Sequence, residues 1–322
     1  MQRPTILLAT FNGERFLRQL VDSIDGQTFA EWQVLARDDG SEDETGDLLE
    51  RWAKRDSRVT VIRDGKRQSP SAASNFAALL DEAVNSDGDL FFFCDQDDIW
   101  EPEKIEVCLS AIENHNASAP LLLVSNLKLI DAQDSRDLGT FWDSNMMPPL
   151  EKRTTAELCS RNLYPGCSMA FNRNLLELAA GVPSGVIMHD WWLAILAQAS
   201  SRIIEVPRPL VRYRQHSNNT TGATKWWREL TDLVQGKGRQ NLLFCQSFDQ
   251  AEAAANRLVV RGHNAAADAV NEFCTLARLP RGAALRRMWT LGIRTYHPAL
   301  FLTFAFRLVL LHRRLRSSAP TS

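Results

Sequence analysis

The sequence predicts an α/β protein with a mostly parallel sheet flanked by helices and a helical C-terminal extension. Over the first hundred residues, short apolar runs alternate with amphipathic segments in the order β-α-β-α-β-α-β. The connections are short, which is typical of a parallel sheet covered by helices. From residue 223 onward the pattern becomes helical. We therefore expect a first domain over residues 1–222 and a helical region over 223–322.

The individual elements follow from short apolar runs and the signals between them. The predicted strands are residues 5–9, 32–37, 59–62 and 90–94. The fourth run is apolar throughout, as expected of a strand that is buried on both faces. The predicted helices between them are residues 14–25, 41–55 and 72–84. A capping box of Ser41 and Glu44 is expected to open the second helix.

An acidic turn follows the fourth strand. It contains Asp95, Asp97 and Asp98, three carboxylates within four positions. Carboxylates packed this closely repel one another unless a cation lies among them. Oxygen ligands of this kind suit Mg²⁺ or Mn²⁺. The alternative is an acidic turn that caps a helix beginning at Pro102, but its position after an apolar strand favours a metal site.

Two more polar clusters follow the first two strands, at residues 10–13 and 38–41. Because the carboxyl ends of parallel strands meet at one edge of a sheet, we expect these clusters and the acidic turn to lie close together. A carboxylate after strand two could accept hydrogen bonds from a base or a ribose, although turn and cap chemistry would also explain it. No GxGxxG follows strand one and no GxxxxGK[ST] occurs, which disfavours dinucleotide cofactors and P-loop chemistry.

The charge distribution excludes some partners. Apolar residues make up 44% of the chain and charged residues 24%, as in ordinary globular proteins. From Arg281 onward there are eight arginines and no acidic residue, so the rest of the chain carries a net charge of −10. An acidic body with a basic tail is unlike a nucleic-acid binder. It suits a catalytic domain held against an anionic membrane surface.

An apolar run at residues 299–311 is too short to span a bilayer and predicts an interfacial helix anchored by arginines. A buried packing helix or a dimer contact is the alternative, and the sequence is compatible with a homo-oligomer. Six scattered cysteines without a CxxC pair suit a reducing compartment. A strand begins at residue 5, so no signal peptide is expected. Together these features predict a cytoplasmic protein, peripherally associated with the inner face of the cell membrane.

Several motifs in order resemble family 2 glycosyltransferases, which have the GT-A fold. They are TILLATFNG, ARDDGSED, SNF and FFFCDQDDIW, and the resemblance covers about residues 4–222. The last motif and YRQHSNN are most similar to bacterial rhamnosyltransferase-type members. The resemblance implies an inverting, metal-dependent transfer of a sugar to a hydroxyl of a lipid-linked surface glycan. The implied donor is dTDP-rhamnose, with a UDP-hexose as the alternative.

The resemblance also implies roles for individual residues. Asp190, at an expected helix start, matches the general base, although many members carry Glu where this chain has His189. The implied nucleotide-binding residues are Thr10, Asn12, Asp39, Asn75 and Asp95. The implied metal ligands are Asp95, Asp97 and His216, and the implied acceptor contacts are Gly166, Trp191 and Trp192.

Two other functions compete with this one. A nucleotidyltransferase also uses an α/β sheet and acidic metal turns, but it would usually carry a basic, Gly-rich phosphate loop after strand one. A non-catalytic glycan-binding scaffold could use the same fold. Loss of the acidic turn or of the acidic base would favour the scaffold, and this chain keeps both.

Overall fold

The computed structural model describes residues 3–63, 71–113, 115, 118–145, 147, 150–215, 239–293 and 298–311. Across these residues, nine strands form one sheet with helices on both faces. The strands are β1 Pro4–Thr10, β2 Gln33–Asp38, β3 Val59–Ile62, β4 Leu90–Asp95, β5 Ile99–Trp100, β6 Leu121–Asp131, β7 Asp137–Thr140, β8 Met169–Asn172 and β9 Arg202–Gln215. The predicted boundary at residues 222 and 223 lies outside the described ranges.

The helices fall into two groups along the chain. Those within the part that contains the sheet are α1 Glu14–Asp25, α2 Thr45–Arg55, α3 Ala72–Ala83, α4 Lys104–Ile112, α5 Phe141–Ser144, α6 Thr155–Ser160, α7 Arg173–Ala179 and α8 His189–Ser200. Those that follow it are α9 Arg239–Val260, α10 Asn264–Arg278, α11 Arg281–Thr290 and α12 Pro298–Leu310. Single 3₁₀ turns occupy Leu150–Lys152 and Gly166–Ser168.

The sheet has the strand order β3-β2-β1-β4-β8-β6-β9-β5, with β7 paired to β6. Strands β3, β2, β1 and β4 are parallel, as are β6 and β9. The pairs that β8 makes with β4 and β6 are antiparallel. In the parallel half, Thr10 pairs with Asp38 and Ala9 with Asp95, so the carboxyl ends of β1, β2 and β4 are level. The predicted α/β architecture and its common edge are confirmed.

Both faces of β4 are buried, as its unbroken apolar run predicts. Phe91 and Phe93 point into a core shared with α3, α8 and the helices that follow residue 239. Phe92 and Cys94 point into a second core, formed with α1, α2 and α4. This alternation is the two-residue period of a strand. The C-terminal helices therefore share a core with one face of the sheet.

Several local predictions differ from the structure. The Ser41–Glu44 capping box is wrong, because α2 begins at Thr45 and the Ser41 side chain donates to Asp38 instead. The acidic turn leads into β5 rather than directly into a helix, and Pro102 precedes the start of α4. The sequence predicts strand character over residues 166–171, whereas residues 166–168 form a 3₁₀ turn and the strand, β8, begins at Met169. The sequence also predicts two strand runs, residues 202–206 and 210–215, on either side of a proline-containing segment. In the structure they are one strand, β9, whose pairing with β6 shifts register around Pro209.

The apolar C-terminal run forms α12, which has two different faces. Phe304 and Leu308 are buried, and the Phe304 ring lies 5.0 Å from that of Phe244 in α9. Arg307 is also buried and donates to Asn241, so it does not extend toward solvent as an anchoring arginine would. Leu302 and Phe306 are exposed on the other face. Among the helices that the structure describes, none is both long enough and apolar enough to cross a bilayer.

Candidate active site

A cavity of about 770 Å³ opens at the edge of the sheet where the carboxyl ends of β1, β2 and β4 lie side by side. Its walls come from the turns after these three strands, the start of α3, the segment before the Gly166 turn and the start of α8. The carboxylates of Asp39, Asp95, Asp97 and Asp190 all belong to the lining. The fold therefore brings carboxylates from three separate stretches of sequence to one cavity.

The two aspartates at the end of β2 have different environments. Asp38 accepts hydrogen bonds from the Thr10 hydroxyl (2.8 Å) and the Ser41 backbone N–H (2.8 Å), so it organises the turn. Asp39 is buried, and its Oδ1 accepts from Arg37 at 3.0 Å. Its Oδ2 has no hydrogen-bond partner within the described residues. Asp39 lines the cavity, and this oxygen can accept a further hydrogen bond.

The other residues predicted to meet the nucleotide also line the cavity, but their side chains hold the protein together. The Asn75 amide donates to the Thr10 carbonyl (3.1 Å), and its oxygen accepts from Arg37 (2.9 Å). The Asn12 side-chain oxygen accepts from the Glu42 backbone N–H (2.9 Å). Thr10, Asn12 and Asn75 therefore fix the two turns around Asp39, and Asp39 keeps an unpaired oxygen.

The acidic turn divides its three carboxylates between the cavity and the protein interior. Asp95 and Asp97 line the cavity, whereas Asp98 is buried against β9 and accepts from the Arg214 backbone N–H at 3.3 Å. The Arg214 guanidinium also donates to the Asp97 carbonyl (2.9 Å). Burial, together with the negative charges of Asp97 and Asp190, raises the pKa of Asp95 to about 8. Burial also raises the pKa of Asp98 well above its usual range.

These carboxylates fit a divalent metal ion. Asp95 is half-buried beside two other carboxylates, and a cation would compensate this concentration of negative charge. The ligand atoms of Asp95, Asp98 and Cys167 also lie within 4.8 Å of one another. However, Asp98 and Cys167 do not line the cavity, and burial raises the pKa of the Cys167 thiol well above its usual range. Oxygen-seeking Mg²⁺ or Mn²⁺ therefore suits Asp95 and Asp97 better. His216 lies outside the described residues.

Asp190 is the second residue of α8, rather than its cap, and its carboxylate is fixed from three directions. Its Oδ1 accepts from the Trp191 backbone N–H (2.6 Å) and the Asn162 amide (3.0 Å), while Oδ2 accepts from the Gly166 N–H (3.0 Å). Burial outweighs these hydrogen bonds and raises the pKa of Asp190 to about 6. A carboxylate with such a pKa is mostly ionised at neutral pH and still a stronger proton acceptor than an exposed one.

Of the three predicted acceptor contacts, only Gly166 lines the cavity. Trp191 and Trp192 instead pack in the core, where their indole N–H groups donate to the Leu158 carbonyl (2.5 Å) and the Ala179 carbonyl (3.0 Å). Their prediction as acceptor contacts is corrected on this ground. The physical reason is that α8 is buried on all sides, so its large side chains fill the core.

Gln96, Arg37 and Asn162 position the site but are not among the residues predicted from the sequence. Gln96 links the acidic turn to the turn after β1, because its amide accepts from the Phe11 N–H (2.8 Å) and donates to the Phe11 carbonyl (2.8 Å). Arg37 holds Asp39, and Asn162 holds Asp190. The spacing of Arg37 and Asp39, two apart at the end of a strand, places both on one face and could have predicted their pairing. No sequence signal marks Asn162.

Comparison with known proteins agrees with this geometry. The family model of glycosyl transferase family 2 matches residues 5–178, more than half of the chain. The chain belongs to glycosyl transferase family 2. It is therefore a glycosyltransferase, and neither the nucleotidyltransferase nor the non-catalytic scaffold is retained.

Two relatives in this family illustrate its range. The chain is similar to the dTDP-rhamnosyl transferase RfbG of Shigella flexneri, with 24% identity over 67% of this chain and 74% of the relative. It is also similar to the UDP-Glc:alpha-D-GlcNAc-diphosphoundecaprenol beta-1,3-glucosyltransferase WfgD of Escherichia coli, with 28% identity over 72% of this chain and 86% of the relative.

The fold is similar to that of solved GT-A transferases. TarS of S. aureus, residues 1–349 in complex with UDP, superposes with a TM-score of 0.55 at 14% identity, over 86% of this chain and 91% of TarS. The mannosyltransferase PcManGT of Pyrobaculum calidifontis, in complex with GDP-Man and Mn²⁺, gives a TM-score of 0.53 at 16% identity, over 98% and 88%. At these identities the likeness establishes the GT-A fold predicted from the sequence and nothing finer.

Proposed function

We propose that this glycosyltransferase moves a sugar from a nucleotide donor to a hydroxyl of a lipid-linked glycan, with inversion at the sugar C1 and with Mg²⁺ or Mn²⁺. The favoured donor is dTDP-rhamnose, in line with the name of the Shigella relative. A lipid-linked acceptor is in line with the name of the Escherichia coli relative. The observation that carries the proposal is that Asp190 lines the same cavity as Asp39, Asp95 and Asp97.

On the donor side, the unpaired Oδ2 of Asp39 accepts a hydrogen bond from the nucleoside. Asp95 and Asp97 are the residues that would hold the divalent ion. When bound, such an ion neutralises the charge of the departing diphosphate without a proton. The remaining polar side chains of this wall, including Asn75 and Gln96, keep the turns in position.

On the acceptor side, Asp190 takes the proton of the incoming hydroxyl. The acceptor oxygen forms a bond to the sugar C1 as the bond between C1 and the diphosphate oxygen breaks, through a cationic, oxocarbenium-like centre. The proton ends on Asp190 and the nucleoside diphosphate leaves. Attack from the face opposite the leaving group inverts the configuration at C1.

A panel of nucleotide sugars tests this function. The full chain is incubated with dTDP-rhamnose, UDP-glucose or GDP-mannose, a GlcNAc-diphospholipid acceptor and Mn²⁺, and released nucleoside diphosphate is measured. We expect acceptor-dependent release with one donor, loss of that release on adding EDTA, and an inverted anomeric configuration by NMR. Release of pyrophosphate, or no turnover with any donor, would contradict the proposal.

We propose further that α12 holds the enzyme against the cytoplasmic face of an anionic membrane. Leu302, Phe306 and Leu310 lie four residues apart and are 63%, 50% and 45% exposed, so they form an apolar stripe on the outer face of α12. Trp289 of α11, 55% exposed, packs its ring 5.8 Å from that of Phe301 at the side of this stripe. An apolar stripe in an acid-free, arginine-rich segment suits the headgroup boundary of anionic lipids.

Surface substitutions test this attachment better than truncation, because α11 and α12 also carry core residues. The triple variant Leu302→Ser, Phe306→Ser and Leu310→Ser leaves the buried face intact. We expect it to lose co-sedimentation with phosphatidylglycerol vesicles while turnover of a short soluble acceptor persists. Val260→Ser, at an 81% exposed position away from this stripe, is the matched control and should sediment normally. Equal sedimentation of the triple variant and the parent would refute the attachment.

A further inference from the structure

The imidazole of His189 is buried in the cavity wall without a hydrogen bond. The residue is 3% exposed, and neither Nδ1 nor Nε2 has a hydrogen-bond partner within the described residues. Its ring packs against two aromatic rings. It stacks on Phe76 of α3 at 3.9 Å between centroids and meets Phe93 of β4 edge-on at 4.6 Å. The ring is thus fixed in orientation while both nitrogens remain unused.

Two buried imidazole nitrogens without hydrogen bonds are unusual in a folded protein. Buried polar groups are almost always hydrogen-bonded, and leaving one unpaired is destabilising. His189 lines the cavity beside Asp190 and Gly166. A side chain at position 166 would put its Cβ only 2.9 Å from His189 Nε2, so a glycine is needed where the chain passes this edge of the ring. Both nitrogens are themselves covered by neighbouring atoms, so a molecule in the cavity reaches one of them only after a small shift of the wall beside the ring.

The chemistry of the ring indicates what that molecule presents. Burial lowers the pKa of His189 to about 3, so the imidazole is neutral. A neutral imidazole donates through one nitrogen and accepts through the other. A hydroxyl also donates and accepts, so it can pair with either nitrogen in either tautomer. A phosphate oxygen could only accept, and a bound diphosphate is expected at the acidic turn with the metal ion.

We propose that His189 binds a sugar hydroxyl next to the general base and thereby contributes to sugar selectivity. This inference rests on the proposed function, since it assumes that sugars occupy this part of the cavity. The hydroxyl belongs either to the donor sugar or to the sugar of the acceptor. Both sources offer the same chemistry, and the experiment distinguishes them.

Two substitutions separate hydrogen bonding from packing. His189→Phe keeps an aromatic ring against Phe76 and Phe93 but removes both nitrogens. His189→Asn removes the ring but keeps one donor and one acceptor. A purely structural ring predicts that the Phe variant is normal and the Asn variant is impaired. A sugar ligand predicts the opposite order for sugar affinity, with the Phe variant impaired about tenfold, the effect of one lost hydrogen bond.

The measurement compares ligands that differ only in the sugar. Calorimetry with the active donor from the panel and with its nucleoside diphosphate isolates the donor sugar, and the KM for the GlcNAc-diphospholipid isolates the acceptor. We expect His189→Phe to weaken about tenfold either the affinity for the donor sugar or the KM for the acceptor, and to leave the affinity for the nucleoside diphosphate unchanged. His189→Asn should keep more of the affected sugar binding than His189→Phe does. Melting temperatures report any folding defect separately.

Two results would overturn the inference while leaving the proposed function standing. In the first, wild type transfers sugar and His189→Phe matches it in donor affinity and in acceptor KM. In the second, both variants lose affinity for the nucleoside diphosphate alone, which would assign His189 to packing. Absence of transfer by the wild type is a separate outcome and refutes the proposed function itself.

Discussion

Replacing Asp190 with Asn exchanges one carboxylate oxygen for an amide nitrogen, and its effects on catalysis and on stability can be measured separately. The substitution keeps the size of the side chain and removes the proton acceptor from the start of α8. Loss of a positioned general base lowers turnover by about 10² to 10⁴-fold. We expect a fall in this range for kcat, with the donor affinity close to wild type because Asp39, Asp95 and Asp97 remain.

The structure gives two opposing effects on stability. The pKa of Asp190 rises from 3.8 to about 6, so the ionised carboxylate is disfavoured in the fold by about 3 kcal/mol above pH 6. This carboxyl therefore contributes stability at low pH, and that contribution is lost as the pH rises through about 6. Asn removes the penalty of the buried charge. Its amide cannot accept from both Gly166 and Trp191, which costs about 1–3 kcal/mol.

Because these effects oppose each other, the melting temperature of Asp190→Asn at pH 7.5 should stay close to that of the parent. Single-turnover transfer measures chemistry, and calorimetry with the nucleoside diphosphate measures donor binding. Asp143→Asn is the matched control, since this exposed carboxylate lies on α5 and accepts from the Thr140 hydroxyl at 2.6 Å. Transfer by Asp190→Asn within tenfold of the parent would refute the assignment of the base.

Three further predictions follow from the same site. Asp190 must be ionised to accept a proton, and its pKa is raised to about 6, so kcat/KM should fall as the pH drops through about 6. A pH profile of kcat/KM that is flat from 5 to 8 would argue against Asp190 as the base. Asp97→Asn should abolish the increase in nucleotide affinity that Mn²⁺ gives, and calorimetry with and without the ion measures this. Gln96→Ala removes both hydrogen bonds to Phe11 and should weaken nucleotide binding about tenfold, with little change in acceptor KM.

The parallel half of the sheet could be predicted because its signals are local. The Leu90–Cys94 run marks a strand buried on both faces, and the polar residues after each strand lie at one edge because parallel strands share their direction. The Asp39 and Asp95 positions in the cavity follow from this alone. The second half depends on pairings between distant segments. The insertion of β8 between β4 and β6 is one such pairing, and no local pattern specifies it.

Side-chain direction was harder to predict than position. The spacing of Arg37 and Asp39 predicts their pairing, but it does not show that Asp38 holds its own turn while Asp39 lines the cavity. Trp191 and Trp192 could be interpreted in two ways from the sequence, because aromatic residues are common both in sugar contacts and in protein cores. In the structure α8 is buried on all sides, so both side chains lie in the core. The free imidazole of His189 could not be predicted, because it results from two aromatic neighbours that come from α3 and β4.

The burial of α8 also limits how the sheet-containing part of this enzyme can be combined with the C-terminal helices of a relative. Nine successive residues from His189 to Ala197 are buried, and the helix packs in one core with the sheet and with α9 and α10. A chimera that took α9–α12 from a relative would have to match the outer surface of α8, and any misfit would displace Asp190 at its first turn. Exchange of substrate preference between relatives should therefore succeed when α8 and the C-terminal helices are transferred as one block, and fail when they are divided.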